Sequence, residues 1–195
     1  MASRTDRSRR RTFLQTVTAC GAAACLPALA AETPRLLTEN DRIDIGGKGK
    51  EIIDNAYRAG REYMEKYGNC AQSALGAIQD SVPFVPKDEL VFLASTPLSG
   101  GATRTRNASC GAFTGCGLAI GSVCGRSRAN YTAKGAAPLP GQLLLQVHDN
   151  FVSTYGNVIC TDIRTKVGGK CADVVGKAAA WCAEALLKQF TNYKA

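Results

Sequence analysis

The chain is poor in the patterns that mark the commoner functional classes. No apolar run approaches the roughly 18 residues that a membrane-spanning helix needs. The single histidine, His148, leaves no Ser/His/Asp set to propose; four residues after Leu144 in a predicted helix, it reads as a core-edge residue. No phosphate-binding loop is visible. Lysine and arginine form no stripe interleaved with aromatics, which argues against nucleic acid as a partner. Cysteine is plentiful, yet no Cys-x-x-Cys occurs, so neither a thioredoxin-type pair nor a zinc knuckle is indicated. Without Cys-x-x-Cys-His, no c-type haem is expected. There is no convincing strand pattern and no repeat of fixed period.

The N-terminus reads as an address. Residues 8–15 are SRRRTFLQ. Arg10-Arg11, one further residue and the apolar pair Phe13-Leu14 resemble the twin-arginine export signal. A weakly apolar, alanine-rich run from Thr16 to Ala31 follows, with the small-x-small sequence Ala28-Leu29-Ala30 near its end. Residues 1–30 are therefore assigned to a removable signal, with the twin-arginine translocase as a transient partner and the periplasm as destination. Val17-Thr18-Ala19-Cys20 loosely resembles a lipoprotein box, but cleavage there leaves only about seven apolar-region residues, so lipidation is the lesser reading. Removing the five arginines and one aspartate of residues 1–30 takes the formal charge from +8 to +4. The twin-arginine route moves folded proteins, among them cofactor proteins loaded in the cytoplasm, and so raises the expectation of a bound group.

Of nine cysteines, Cys20 and Cys25 leave with the signal. Seven remain: Cys70, Cys110, Cys116, Cys124, Cys160, Cys171 and Cys182. An odd number cannot all pair within one chain. Their share of the remaining chain, about 4%, is well under the 8–10% of a disulfide-held mini-scaffold. A domain of about 150 residues buries nearly 70% of its surface without staples. Stability does not demand these thiols, and free thiols are a hazard in an oxidising compartment. They are buried and inert, or ligands, or meant to react.

Residues 31–50 are polar and glycine-rich and read as a linker; residues 51–195 read as one helical domain. Ile52, Ile53, Ala56, Tyr57, Gly60, Tyr63 and Met64 recur at helical spacing over 51–67, and Gly68 stops that helix. Asn69 then caps a helix reaching about Asp80, with Cys70 at its first position and Gln72 three residues after the cap, a variant of the capping box. A helix over 87–95 and a loop over 96–108 follow. Ser109 is expected to cap a helix from Cys110 to Cys124. Each glycine in a helix costs about 1 kcal/mol relative to alanine, yet this one carries Gly111 and Gly115 on one stripe and Gly117, Gly121 and Gly125 on another. Such stripes admit a neighbouring backbone or a cofactor. Further helices are predicted over 141–155, around Cys160, and over 171–190. The expectation is an all-α, compact bundle of about six helices with a glycine-rich central helix.

Cys70, Cys110 and Cys171 each fall in the first turn of a predicted helix. Unpaired N–H groups and the helix dipole there favour a thiolate, and such surroundings lower a cysteine pKa from about 8.5 to between roughly 3.5 and 7.5. Thiolate is the form that attacks disulfides and binds metal. Arg104 and Arg106, just before Cys110, are placed to reinforce this or to meet an anionic partner. A fold that gathers Cys70, Cys110, Cys160 and Cys171 can hold an iron–sulfur cluster or one metal ion.

Cys110-Gly111-Ala112-Phe113-Thr114-Gly115 is a CGAxxG motif. Asn69-Cys70-Ala71-Gln72 and a Gly-Gly-x-x-Arg loop precede it; Cys160 and Cys171 follow. Over about residues 51–190 this resembles the C_GCAxxG_C_C family of redox-active proteins, which is itself similar to the core of a split-Soret cytochrome. The resemblance implies that the family's four cysteines are Cys70, Cys110, Cys160 and Cys171 here. The leading expectation is an exported electron-transfer protein that binds an iron–sulfur cluster and meets a redox partner protein. A metal-free thiol–disulfide protein, cycling a pair such as Cys160 and Cys171, and a non-catalytic metal-binding or interaction protein stay open, as does a homo-oligomer. Cys116, Cys124 and Cys182 depart from the family pattern and read as buried small residues, extra ligands or a resolving thiol.

Overall fold

The computed structural model describes residues 35–132 and 138–194. The signal assigned to residues 1–30, with Cys20 and Cys25, lies outside the described residues. Seven α-helices follow in order: α1 Gly49–Tyr67, α2 Cys70–Ser81, α3 Glu89–Ser95, α4 Gly111–Cys124, α5 Pro138–Tyr155, α6 Cys160–Lys166 and α7 Ala172–Phe190. The all-α bundle holds, with seven α-helices among the described residues rather than about six. Among the described residues there is no sheet; two isolated bridges, Ile43 with Thr191 and Ser109 with Ile159, are the β-type pairings.

The helix ends follow the local chemistry. Gly68, at φ +81°, closes α1 by donating its N–H to Met64 O at 3.2 Å. Helix α5 covers Pro138–Tyr155 among the described residues, so it includes three residues ahead of the expected 141–155.

Helix α4 is the centre of the bundle. Ala112, Gly115, Cys116, Ala119, Ile120 and Val123 are buried along it, and α2, α5 and α7 all pack against it. Its first glycine stripe is a close approach to α2. A Cβ added at Gly115 would stand 2.5 Å from Ala71 O, and one at Gly111 would overlap the Cys70 sulfur. The second stripe is not a close approach. A Cβ at Gly117 would make ordinary contact with Leu144 at 3.5 Å, and one at Gly121 would meet nothing within 4 Å. Helices α1 and α7 meet through a second glycine pair: a Cβ at Gly60 would lie 3.0 Å from Gly176 Cα.

Residues 35–48, expected as linker, are tied to the bundle. Leu37 N donates to Val123 O at 2.8 Å and Ile43 N to Phe190 O at 2.6 Å, while Leu37 and Ile45 pack against the core. Among the described residues no helix is long and apolar enough to cross a membrane.

The two stripes predict opposite outcomes for the same substitution. Gly115→Ala forces α2 and α4 apart and destabilises by about 1–3 kcal/mol; Gly121→Ala gains about 0.5–1 kcal/mol from the unfolded chain's lost freedom. Urea denaturation of both variants checks the sign of each.

Candidate four-cysteine site

Each of the four cysteines that the motif singles out stands at the start of a helix. Cys70 is the first residue of α2 and Cys160 the first of α6. Cys110 and Cys171 occupy the cap positions before α4 and α7. The expected Ser109 cap is displaced by one residue, so Cys110 itself is the boundary. At Cys70 the cap is Asn69, whose Oδ1 accepts from Gln72 N at 3.1 Å and whose Nδ2 donates to Thr96 O at 3.0 Å. The capping box is half-formed: the Gln72 side chain turns away to donate to Thr96 Oγ1 at 2.9 Å.

Backbone pairing brings distant cysteines together. Cys110 N donates to Val158 O at 2.7 Å and Cys160 N to Ala108 O at 3.0 Å, the two bonds of the Ser109–Ile159 bridge. Thr161 extends the pairing with N–H and Oγ1 bonds to Arg106 O at 2.9 and 2.5 Å. The starts of α4 and α6 are thereby zipped side by side across about fifty residues of chain. Cys70 joins from α2, its sulfur lying where a side chain at Gly111 would be and 3.4 Å from Ser99 Oγ. Cys171 joins through Arg164, whose Nη1 is 3.9 Å from its Sγ.

The four sulfurs feel one another. Burial pushes the Cys110 thiol up, and negative charge on Cys70 and on Cys160 would push it further; the Ala112 and Phe113 amides oppose this. Burial also raises Cys160, helped by Cys70 and Cys171 and opposed by Arg106 and Arg164. Burial raises Cys171, with Arg164 the chief opposing charge. The expected lowering is therefore overturned for Cys110 and Cys171, and Cys160 is raised as well: loss of water costs a thiolate more than the helix starts and arginines return. No disulfide links any of the seven. Among the described residues no three of His, Cys, Asp and Glu converge on a single point as ligands to a metal ion.

The other thiols lie elsewhere. Cys116 and Cys182 face each other in the core between α4 and α7, both fully buried. Cys116 Sγ donates to Ala178 O at 3.3 Å, Cys182 Sγ lies 3.8 Å from Cys116 O, and burial holds the Cys116 thiol well above its usual range, with Cys182 adding to the shift. Cys124, at the far end of α4, donates to Ile120 O at 3.4 Å. Arg104 and Arg106 are both exposed in the loop; Arg106 borders the site, its carbonyl bonded by Thr161. His148 packs edge-on to Phe113 and pairs with Asp149 at 3.1 Å.

Tyr155 is the residue that sequence reasoning missed; it reads there as one more apolar position. Its residue is 7% exposed, and its hydroxyl is a buried polar atom with no hydrogen-bond partner. Burial raises its pKa, and the charges of Asp173, Cys110 and Cys171 add to that, which places the hydroxyl within electrostatic reach of two of the four cysteines. Phe151 and Trp181 pack around its ring at 5.6 and 6.3 Å. The only signal in the sequence is tyrosine, not phenylalanine, at the last residue of α5.

Comparison with known proteins gives one finding. A family model described as "Putative redox-active protein (C_GCAxxG_C_C)" matches residues 68–185, more than half of the chain. No curated protein and no solved structure matches.

One measurement probes the Cys70 cap and a second the cost of burying a thiol elsewhere on α4. Asn69→Ala removes the cap that positions Cys70 and costs about 1 kcal/mol in chemical denaturation. Cys124 supplies the pH test, because burial alone pushes its thiol up to about 11. An unfolded thiol ionises near 8.5, so between these values the folded chain binds more protons and stability falls as pH rises. Reduced Cys124→Ala protein loses less stability from pH 8.5 to 11 than the parent, by up to ~3 kcal/mol, in urea titrations.

Proposed function

The chain belongs to the C_GCAxxG_C_C family, and from that premise we propose that Cys70, Cys110, Cys160 and Cys171 form a redox centre holding an iron–sulfur cluster. The protein passes electrons to a partner in the periplasm after export by the twin-arginine route. The observation that carries this reading is the backbone pairing that sets Cys110 beside Cys160, with Cys70 packed where a side chain at Gly111 would be. The Tyr155 hydroxyl, buried with no partner among the described residues, feels the charges of Asp173, Cys110, Tyr57 and Cys171. A buried hydroxyl left unpaired costs about 1–3 kcal/mol, and a sulfur-bearing group among the thiols would accept its hydrogen bond.

The donor set fits a cluster better than a single ion. A mononuclear centre needs its ligands around one point. A cluster spreads its thiolate ligands over several irons. When bound, it supplies one-electron chemistry over a range of potentials set by charge, hydrogen bonds and exposure.

The chain's own residues have definable parts. The four thiols give up protons on ligation, so binding releases acid. Arg106 and Arg164 offset the negative charge that four thiolates bring, a role already visible in their opposition to the rise at Cys160 and Cys171. Tyr155 donates from its hydroxyl. Phe151 and Trp181, 5.4 Å apart in edge-on contact, back the Tyr155 ring and limit water. A second reading, a metal-free thiol–disulfide centre, draws on Cys171, which alone of the seven is not fully buried.

Anaerobic purification decides between them. The cluster reading expects iron and acid-labile sulfide in equal amounts with visible absorbance. Both are lost in Cys70→Ser, Cys110→Ser, Cys160→Ser or Cys171→Ser protein and kept in Cys124→Ser. Absence of iron and sulfide, with two thiols appearing reversibly on mild reduction, establishes the disulfide reading instead.

A further inference from the structure

Beside the thiols lies a cavity of about 270 Å³ lined by Arg106, Thr161, Arg164, Thr165, Gly168 and Gly169. It is smaller than the roughly 300–1,000 Å³ of a drug-sized ligand pocket, so its occupant is a small group. Two guanidiniums line it, and neither forms a salt bridge. The acids nearest in sequence are engaged elsewhere: Asp162 accepts from Asn157 Nδ2 at 2.6 Å, and Asp173 binds Tyr57 Oη at 2.6 Å and Lys177 at 2.8 Å. Lys166 and Lys170 flank the same stretch and are exposed. Arg106 is held at φ +65°, in a conformation that non-glycine residues seldom adopt. Bonds from Arg106 N to Gly100 O and from Thr161 N to Arg106 O fix it there. Arg164 spans the cavity and the site, since its Nη1 also reaches Cys171 Sγ at 3.9 Å. Cys171 is the least buried of the seven thiols.

We propose that this cavity is a small-oxyanion subsite, in which Arg106 and Arg164 hold a carboxylate or a tetrahedral oxyanion next to Cys171. Guanidiniums bind both groups through paired N–H donors, and the threonine hydroxyls supply further polar contacts at the rim. Within the redox reading, which this deepens, the subsite gives the centre a preference for anionic small molecules or for a carboxylate of a partner.

The test compares two alkylating agents on the reduced protein. In both, the Cys171 thiol gives its proton to the buffer, the thiolate sulfur attacks the CH₂ carbon, iodide leaves and a thioether forms. Iodoacetate carries a carboxylate and iodoacetamide does not, so their rate ratio reports anion recruitment independently of how readily the thiol ionises. The ratio at Cys171, read by peptide mass spectrometry, is expected to exceed that of free cysteine by about tenfold, the scale of a charge-assisted hydrogen bond. It falls to the free-cysteine value in Arg164→Gln and Arg106→Gln, stays high in Arg42→Gln, which removes one positive charge elsewhere, and recovers in part in Arg164→Lys. A second arm reads sulfate against chloride at equal ionic strength by thermal melting of the protein as purified, and applies equally if a bound group shields Cys171. A sulfate-specific rise that disappears in Arg106→Gln or Arg164→Gln supports a tetrahedral oxyanion; a raised iodoacetate ratio alone supports a carboxylate. No preference in either arm, or one that survives both arginine variants, overturns the proposal. Iron and sulfide content, measured on the same samples, reports separately on the cluster.

Discussion

Two backbone hydrogen bonds, between residues 108–110 and 158–160, are the constraint on which the site depends. They join the starts of α4 and α6, and with them Cys110 and Cys160, in a bundle whose helices otherwise meet chiefly through side-chain and glycine packing. The other two cysteines reach the same place by packing. Gly111 leaves room for the Cys70 sulfur and Gly115 lets the α2 backbone come close, so α2 can lie flat on α4. Glycines that weaken α4 as an isolated helix are offset by this contact. Cys171 follows from the turn between α6 and α7, where Gly168 and Gly169 both take positive φ and Arg164 reaches back to the sulfur.

At this junction two effects compete for the protons of the thiols. Helix starts and arginines favour the anion; burial disfavours it, and for Cys110, Cys160 and Cys171 burial wins. At these three positions burial therefore works against the thiolate, and a ligand that binds there must displace the proton. Arg106, Arg164 and Tyr155 then take on a clear physical sense. Arg106 and Arg164 offset part of the burial cost at Cys160 and Cys171, and under the proposed function Tyr155 adds a donor where water no longer serves.

Much of the bundle was legible from residue spacing, because amphipathic periods and glycine stops are local signals. The 51–67 and 171–190 helices, the Asn69 cap and the helix-start places of Cys70, Cys110 and Cys171 came from such signals. What needed the third dimension was less legible. The Ser109–Ile159 bridge joins segments about fifty residues apart, and no short-range pattern announces it. Only one of two similar glycine stripes is a close approach, since α2 happens to cover one and not the other. The thiol pKa values were misjudged because a helix start can be read from sequence whereas burial cannot. Residues 35–48 looked like linker by composition, yet Leu37 and Ile43 bind the bundle through backbone groups that composition does not reveal. Tyr155 reads as an apolar position until its hydroxyl is seen to lack a partner.

The central claim is spatial: four sulfurs remote in sequence share one place, and Cys124 is not among them. Native oxidation of the metal-free, reduced protein with a slight excess of diamide, followed by disulfide mapping, tests this most directly. The account predicts crosslinks that pair members of the set Cys70, Cys110, Cys160 and Cys171 with one another, with Cys124 left free. Crosslinks from any of the four to Cys124, or four thiols that stay unlinked while oxidant is consumed elsewhere, would contradict it.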